Sequence, residues 1–244
     1  MFAGRRGGSA PDTSAVVVAA GSAARMEGID KQFALIGDIP VLIRSLMAIE
    51  SCPSIGEVIV VTREESIPLL HQLLSGYPVN KVRTIVTGGE TRQQSVLKGF
   101  GQTGGQSRFV AIHDGARPLV WPADIEACIA AARQTGAAAL GVPVKETIKQ
   151  VDGQGRIVRT PDRGSLYAAQ TPQVFSKAAY GAAVEKALAA GMEFTDDCQL
   201  MEFAGLPVQM VKGSYDNIKI TTPEDLAVAA GLLDYRCEWG EGLK

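Results

Sequence analysis

Two cations, Arg25 and Lys31, follow a small-residue loop at the end of an apolar run, an arrangement suited to holding a phosphate chain. Val16-Val17-Val18-Ala19-Ala20 reads as a buried strand, and Gly21-Ser22-Ala23-Ala24 as the loop that delivers Arg25 and Met26. Small residues let backbone N–H groups approach an anion while neighbouring cations neutralise it. The pattern is neither of two common phosphate loops. A dinucleotide fold wants Gly-x-Gly-x-x-Gly and a Walker loop wants Gly-x-x-x-x-Gly-Lys-Ser/Thr, and neither string occurs. An ordinary strand-turn would account for the apolar run but not for the clustered cations.

Further polar clusters fall where strands should end, which is where parallel sheets bind ligands. Gly88-Gly89-Glu90-Thr91-Arg92-Gln93-Gln94-Ser95 combines paired glycines, which permit close backbone approach, with Arg92 and Ser95 on the opening turn of a helix. His113-Asp114-Gly115-Ala116-Arg117-Pro118 closes a strand on a carboxylate. Such an aspartate either serves Mg²⁺, which takes few carboxylates and keeps its waters, or caps the next turn. His113 reads as a packed histidine rather than a base. Asp216-Asn217-Ile218-Lys219-Ile220-Thr221 supplies another lysine, by itself a surface cation.

The elements that must position these groups alternate along the chain. Strands are expected at Ala15–Ala19, Glu57–Val61, Val82–Val86, Phe109–His113, Ala137–Val142 and Val208–Val211. Helical patterns lie near Val41–Glu50, Glu64–Leu74, Thr91–Phe100, Ala123–Gln134, Ser176–Ala190 and Pro223–Leu232. This alternation predicts a mostly parallel α/β sheet with helices on both faces. Tyr180, Val184 and Leu188 form an apolar stripe at helical spacing, which reads as core packing. Thr222-Pro223-Glu224-Asp225 is a helix start, and Thr195-Asp196-Asp197 has the same look. Lys145–Thr160 breaks the rhythm with two alternating runs around Asp152-Gly153-Gln154-Gly155, the signature of a β-hairpin. A lone ribbon is barely stable in water, so it is expected to pack on something else, a second subunit first of all.

The chain has 244 residues, of which 46% are hydrophobic and 20% charged, enough for one domain with a sizeable core. With 24 Lys and Arg against 26 Asp and Glu, the net charge of −2 supplies no global field for nucleic acid. Cys52, Cys128, Cys198 and Cys237 form no metal-binding spacing and are expected as single buried thiols in a reducing cytoplasm. No apolar run is long enough for a membrane span. Residues 1–14 are Gly-rich at the start, lack the apolar core of a secretory signal, and are expected as a disordered tail. A single domain over 15–236, with the hairpin arm at about 144–165 inserted and no second enzyme downstream, is the expected organisation.

Taken in order, the blocks Ala-Ala-Gly…Arg25-Met26…Lys31-Gln32-Phe33, Gly-Gly-Glu-Thr-Arg-x-x-Ser, His-Asp-Gly-Ala-Arg-Pro, Ala-Ala-Gln-Thr-Pro-Gln, Thr-Asp-Asp and Asp-Asn-Ile-Lys-Ile-Thr are far more specific than any one alone. They resemble the 2-C-methyl-D-erythritol 4-phosphate cytidylyltransferases of the non-mevalonate isoprenoid pathway, from Ala15 to about Leu233. The resemblance implies a Rossmann-like nucleotidyltransferase fold with a β-hairpin dimerisation arm. It implies that Ala19, Ala20, Gly21, Gly89, Glu90, Arg92 and Ser95 line the cytosine and ribose pocket, with Asp114 and Gly115 beside the nucleotide. Arg25, Lys31 and Lys219 would hold the triphosphate and steady the reacting α-phosphate. Asp114 would also serve Mg²⁺ or another divalent cation, and Arg117 would border the sugar phosphate. Thr147 and Arg163, flanking the hairpin, would reach into a partner subunit's site and grip the substrate phosphate. Thr171, Thr195 and Asp196 would complete the erythritol side.

The partners so implied are CTP, a polyol phosphate and a second copy of the chain in a cytoplasmic homodimer. The chain departs from the family pattern at Ala23, where a second glycine is usual, and at Asp30, where proline usually precedes the lysine; the Arg25–Lys31 interval is also slightly short. If the usual glycine adopts positive φ, Ala23 would cost about 1 kcal/mol or more. The sister ribitol-5-phosphate cytidylyltransferases share the fold and reaction type. A nucleotide-binding regulatory module would be expected to lose Lys31, Lys219 or Asp114, and all three are present. A dinucleotide-dependent oxidoreductase lacks its glycine fingerprint here.

Overall fold

Val16 and Val17 are adjacent and fully buried, yet they belong to different apolar layers. Successive side chains of a strand point to opposite faces, so a strand covered on both sides must be apolar throughout. Val60 and Val61 divide in the same way. The computed structural model describes residues 10–21 and 30–239.

In chain order the elements are β1 (Thr13–Val18), β2 (Leu35–Ile36), β3 (Ile39–Pro40), α1 (Val41–Glu50), β4 (Ile55–Thr62), α2 (Ile67–Leu74), β5 (Val82–Thr87), α3 (Arg92–Phe100) and β6 (Phe109–Asp114). They continue with α4 (Pro122–Thr135), β7 (Ala137–Pro143), β8 (Gln150–Val151), β9 (Ile157–Arg159), β10 (Tyr167–Ser176), α5 (Lys177–Ala189), α6 (Asp197–Ala204), β11 (Gln209–Lys212) and α7 (Pro223–Trp239). Seven strands form one sheet in the order β11-β7-β10-β6-β1-β4-β5. All neighbours pair in parallel except β10, which runs antiparallel between β6 and β7. On one face, Leu42 and Leu46 of α1, Leu70 of α2 and Ile129 of α4 pack over Val17 and Val60. On the other, Val96 of α3, Tyr180 of α5 and Met201 of α6 cover Val16, Val61 and Phe175.

The expected α/β sheet with helices on both faces is therefore present. β1 begins at Thr13, and Thr13 and Ser14 are buried, so the ordered fold starts two residues inside the expected tail. Asp12 also pairs with Arg133 of α4 at 2.5 Å. Leu188 is exposed, not core; α5 buries Tyr180, Ala183 and Ala187 instead. Cys237 is exposed, while the other three cysteines are buried and free.

Two packing details place the site. A Cβ on Gly99 would lie 2.5 Å from Val16 and 2.7 Å from Val61, so α3 presses directly onto the sheet and carries Arg92 to its carboxyl edge. Because β10 runs backwards, its early residues Gln170 and Thr171 reach that same edge beside the end of β6. The hairpin forms as β8 paired with β9, around a turn in which the Asp152 carboxylate accepts from Gln154 N at 2.9 Å and Arg156 N at 3.0 Å. Gly155 takes φ of 78° there, a conformation glycine adopts without penalty.

His113 ties β6 to β10. Its Nε2–H donates to the Arg117 carbonyl at 3.3 Å, which leaves Nδ1 to accept from the Thr171 hydroxyl at 3.1 Å. The Thr171 oxygen in turn accepts from Asp114 N at 3.0 Å. Burial pushes the imidazole down to about 4 from an ordinary 6.5. The unfolded chain then binds a proton between those values that the folded one does not, so stability is full above pH 6.5 and falls as pH drops towards 4. The loss should approach about 3 kcal/mol. Denaturant midpoints measured across this range should slope accordingly, and His113→Gln should flatten the slope whatever its own stability; an unchanged slope would contradict a neutral buried His113.

Candidate active site

β6 ends on Asp114, and two cations converge on its carboxylate. Lys219 Nζ lies 2.6 Å from Oδ2 and Arg92 Nε 3.5 Å from Oδ1. Burial alone would raise this carboxyl, but Lys219 and Arg92 outweigh it and hold the group well below the ordinary carboxylate range. Arg92 has a second anchor, with Nη1 2.6 Å from Asp197 Oδ2, and the Tyr180 hydroxyl donates to Asp197 Oδ1 at 2.7 Å. Burial would lower the Arg92 guanidinium, but Asp197 and Asp114 override it and keep it charged. Burial pushes Asp197 up, opposed by Arg92 and the tyrosine hydroxyl. Buried charges hold such positions only when paired and hydrogen-bonded, as these are.

Lys219 sits in no regular element, so its segment is fixed by specific bonds. The fully buried Asn217 side chain donates to the Thr171 carbonyl at 3.0 Å, and the Asn217 backbone carbonyl accepts from Arg117 Nη1 at 2.7 Å. Ile220 N donates to the Ala116 carbonyl at 2.8 Å. Behind it, Asp216 accepts from Arg236 Nε at 2.6 Å, and that guanidinium lies 3.9 Å over the Trp121 ring. The lysine is thereby held at the end of β6 rather than free on the surface.

Two recesses meet at this cluster. The larger, of about 430 Å³, includes Ala20, Gly21, Lys31, Gly89, Glu90 and Ser95 in its lining. The smaller, of about 150 Å³, includes Arg117, Gln170, Thr171, Gln173, Thr195 and Asp196. Arg92, Asp114 and Lys219 border both. The loop at Gly88 is built by close approach: a Cβ there would fall 2.4 Å from that of Ala20. Ser95 Oγ accepts from Gly89 N at 3.0 Å, and Thr91 caps α3 by accepting from Gln94 N at 3.2 Å. Asp196 caps α6, accepting from Cys198 N at 2.9 Å, and takes a 2.6 Å bond from Gln173 Nε2.

Most of the sequence-predicted residues thus surround one bipartite cleft. Ala19 and Gly115 do not line it. Ala19 is buried in the core with its N–H bonded to Val61 O, and Gly115 N is bonded to Val18 O. A Cβ on Gly115 would lie 2.9 Å from Leu42 and 3.1 Å from Gln32 Oε1, so Gly115 acts as a close-packed floor. Thr147 and Arg163 border neither recess; Arg163 is exposed and donates to the Lys145 carbonyl at 2.8 Å. Arg25, with Ala23 and Met26, lies outside the described residues. The sequence reading missed Gln32 and Arg63, which line the larger recess, and the Asp197–Tyr180 support behind Arg92. The position of Arg63 just past β4, at the carboxyl edge, was the available signal.

A family model described as 2-C-methyl-D-erythritol 4-phosphate cytidylyltransferase matches residues 13–235. The protein of that name from Desulforamulus reducens is 45% identical over 229 residues, covering 93% of this chain and 98% of that one. Its namesake from Caldanaerobacter subterraneus is 47% identical over 220 residues, 89% and 97% of the two chains. Among solved structures, 4-diphosphocytidyl-2C-methyl-D-erythritol synthase from Anaerococcus prevotii superposes with a TM-score of 0.81 at 34% identity, covering 91% of this chain and 96% of its own. The Thermus thermophilus cytidylyltransferase gives 0.73 at 30%, covering 90% and 98%. With the bipartite cleft built on the same blocks of sequence, the chain belongs to the 2-C-methyl-D-erythritol 4-phosphate cytidylyltransferase family.

Proposed function

We propose that the chain transfers the cytidylyl group of CTP to 2-C-methyl-D-erythritol 4-phosphate, with the nucleotide in the larger recess and the polyol phosphate in the smaller. The observation that carries this reading is the wall the two recesses share, Arg92, Asp114 and Lys219. A phosphate oxygen of the polyol attacks the α-phosphorus in line, the bond to the bridging oxygen breaks, and pyrophosphate leaves. The attacking phosphate already carries nucleophilic oxygens, so no general base is needed.

The obstacle is electrostatic, since two unit charges about 4 Å apart repel by roughly 4 kcal/mol at an effective dielectric of 20. Lys219 stands at the seam where the two anions must meet, and Lys31 lines the nucleotide side. Arg25 is assigned to the triphosphate by the family pattern alone. Preorganised cations of this kind stabilise developing charge without reorganising during the reaction.

A divalent cation such as Mg²⁺ belongs to the same reading. Among the described residues, no group of three or more His, Cys, Asp or Glu could hold a metal unaided. Mg²⁺ is commonly bound by one or two carboxylates together with substrate phosphates and water, and the ionised Asp114 at the seam fits that donor set. Bound there, it would neutralise phosphate charge.

The exposed arm is the proposed homodimer contact. Val151, Ile157 and Val158 on β8 and β9 are all more than half exposed, the mark of an apolar surface awaiting a partner. Thr147 and Arg163 flank it and would grip the polyol phosphate in the partner's smaller recess. The buried free thiols Cys52, Cys128 and Cys198 support a cytoplasmic setting, and no helix among the described residues is long and apolar enough to cross a membrane.

Purified protein given CTP, Mg²⁺ and 2-C-methyl-D-erythritol 4-phosphate should release pyrophosphate, and ribitol 5-phosphate should not replace the polyol. Turnover only with ribitol 5-phosphate would overturn the substrate assignment, and CTP binding without turnover would favour a regulatory module. Lys31→Ala should lower kcat about 10²–10³-fold in the folded protein, and a near-normal kcat would remove Lys31 from the machinery. Sedimentation should give a dimer that Ile157→Glu/Val158→Glu converts to monomer. Arg163→Ala should raise KM for the polyol phosphate more than for CTP; equal changes would contradict a shared site.

A further inference from the structure

Arg63 follows the last residue of β4 at the carboxyl edge and lines the larger recess together with Lys31 and Gln32. Its Nη2 is in direct ionic contact with Asp30 Oδ2, and its Nε lies 3.5 Å from Glu65. Asp30 is no bystander. Its Oδ1 accepts from Gln32 N at 3.0 Å, and its carbonyl accepts from Phe33 N and Ala34 N, both at 3.0 Å. One aspartate therefore organises the turn that presents Lys31 and Gln32 to the cleft. That turn carries a cost in charge, because the aspartate is adjacent to the lysine and its side chain is a quarter exposed. An unneutralised carboxylate there would repel the anion that Lys31 is positioned to meet.

We propose that Arg63 is a positioning residue for the nucleotide recess: paired with Asp30, it neutralises the carboxylate that would otherwise repel the anion Lys31 meets. This rests on Lys31 acting on the nucleotide phosphates. Arg63 lines the larger recess and not the smaller one, so the effect is directed at the nucleotide rather than the polyol phosphate. A partly exposed ion pair contributes little to folding, which separates this role from a structural one.

Steady-state kinetics and melting curves of Arg63→Gln, Arg63→Lys, Asp30→Asn and the Asp30→Asn/Arg63→Gln pair test the assignment, because asparagine keeps the Oδ1 cap while removing the charge. Arg63→Gln should raise KM for CTP about tenfold, with KM for the polyol phosphate changed by less than about twofold and the Tm by only a few degrees. Asp30→Asn should stay near wild type, Arg63→Lys should retain most of the affinity, and the double variant should recover to within about threefold of wild type. An unchanged KM for CTP in Arg63→Gln would overturn the proposal. So would a double variant as impaired as the single, since Arg63 would then act on the nucleotide itself. Lys31→Ala measured alongside separates the two failures: normal CTP kinetics in that variant would remove the role of Lys31 and this proposal with it, whereas an impaired Lys31→Ala beside a normal Arg63→Gln would overturn the Arg63 assignment alone.

Discussion

The Asp114 carboxylate, clasped by Lys219 on one oxygen and faced by Arg92 on the other, is the interaction on which the rest of the site depends. It sits at the end of the central strand β6, where the backbone is fixed on both sides by β1 and β10. A carboxylate so placed gathers cations from two remote segments, one opening α3 and one beyond β11. Both cations then border each recess. Without the acid, two neighbouring positive charges would repel each other, with Asp197 left to compensate Arg92 alone.

The supports behind this cluster show how much structure a few charges require. Arg92 is held from behind by Asp197, itself tied to Tyr180 in the apolar layer under α5. Lys219 is held through Asn217, Arg117 and the Asp216–Arg236–Trp121 stack. His113, kept neutral, bonds Arg117 O and Thr171 at once and so links the end of β6 to the start of the antiparallel strand. These side chains thus form a connected frame, and a connected frame resists reorganisation when charge develops.

The strands of the parallel sheet were legible because a strand covered on both faces must be apolar, and β4, β6 and β7 contain the expected runs, as does the half-buried edge strand β5. β10 was not, because Gln170, Thr171, Pro172 and Gln173 interrupt its pattern: these polar residues are buried to serve the site, and the proline lies where the register shifts. α6 announced only its start at Thr195-Asp196-Asp197. Leu188 failed as a core residue because α5 buries Tyr180, Ala183 and Ala187 and turns Leu188 outward. In the site, the order of the motifs identified most of the residues that line the cleft, including Lys219, which no local pattern distinguished from a surface lysine. Gly115 and Ala19 pack beneath the cleft rather than lining it, since closeness to a ligand edge and contact with the cleft are different things. Arg63 and Asp197 escaped because their roles come from contacts to residues 33 and 105 positions away, which spacing along the chain does not express.

The central claim is that one carboxylate organises both halves of the cleft, and Asp114→Asn tests it most directly. The amide keeps the size of the side chain and removes the charge that holds Lys219 and faces Arg92. Steady-state kinetics with both substrates, on protein whose melting curve shows it folded, should find kcat lowered by about two orders of magnitude or more and KM raised for CTP and for the polyol phosphate alike. A defect confined to one substrate, or kinetics close to wild type, would contradict the account.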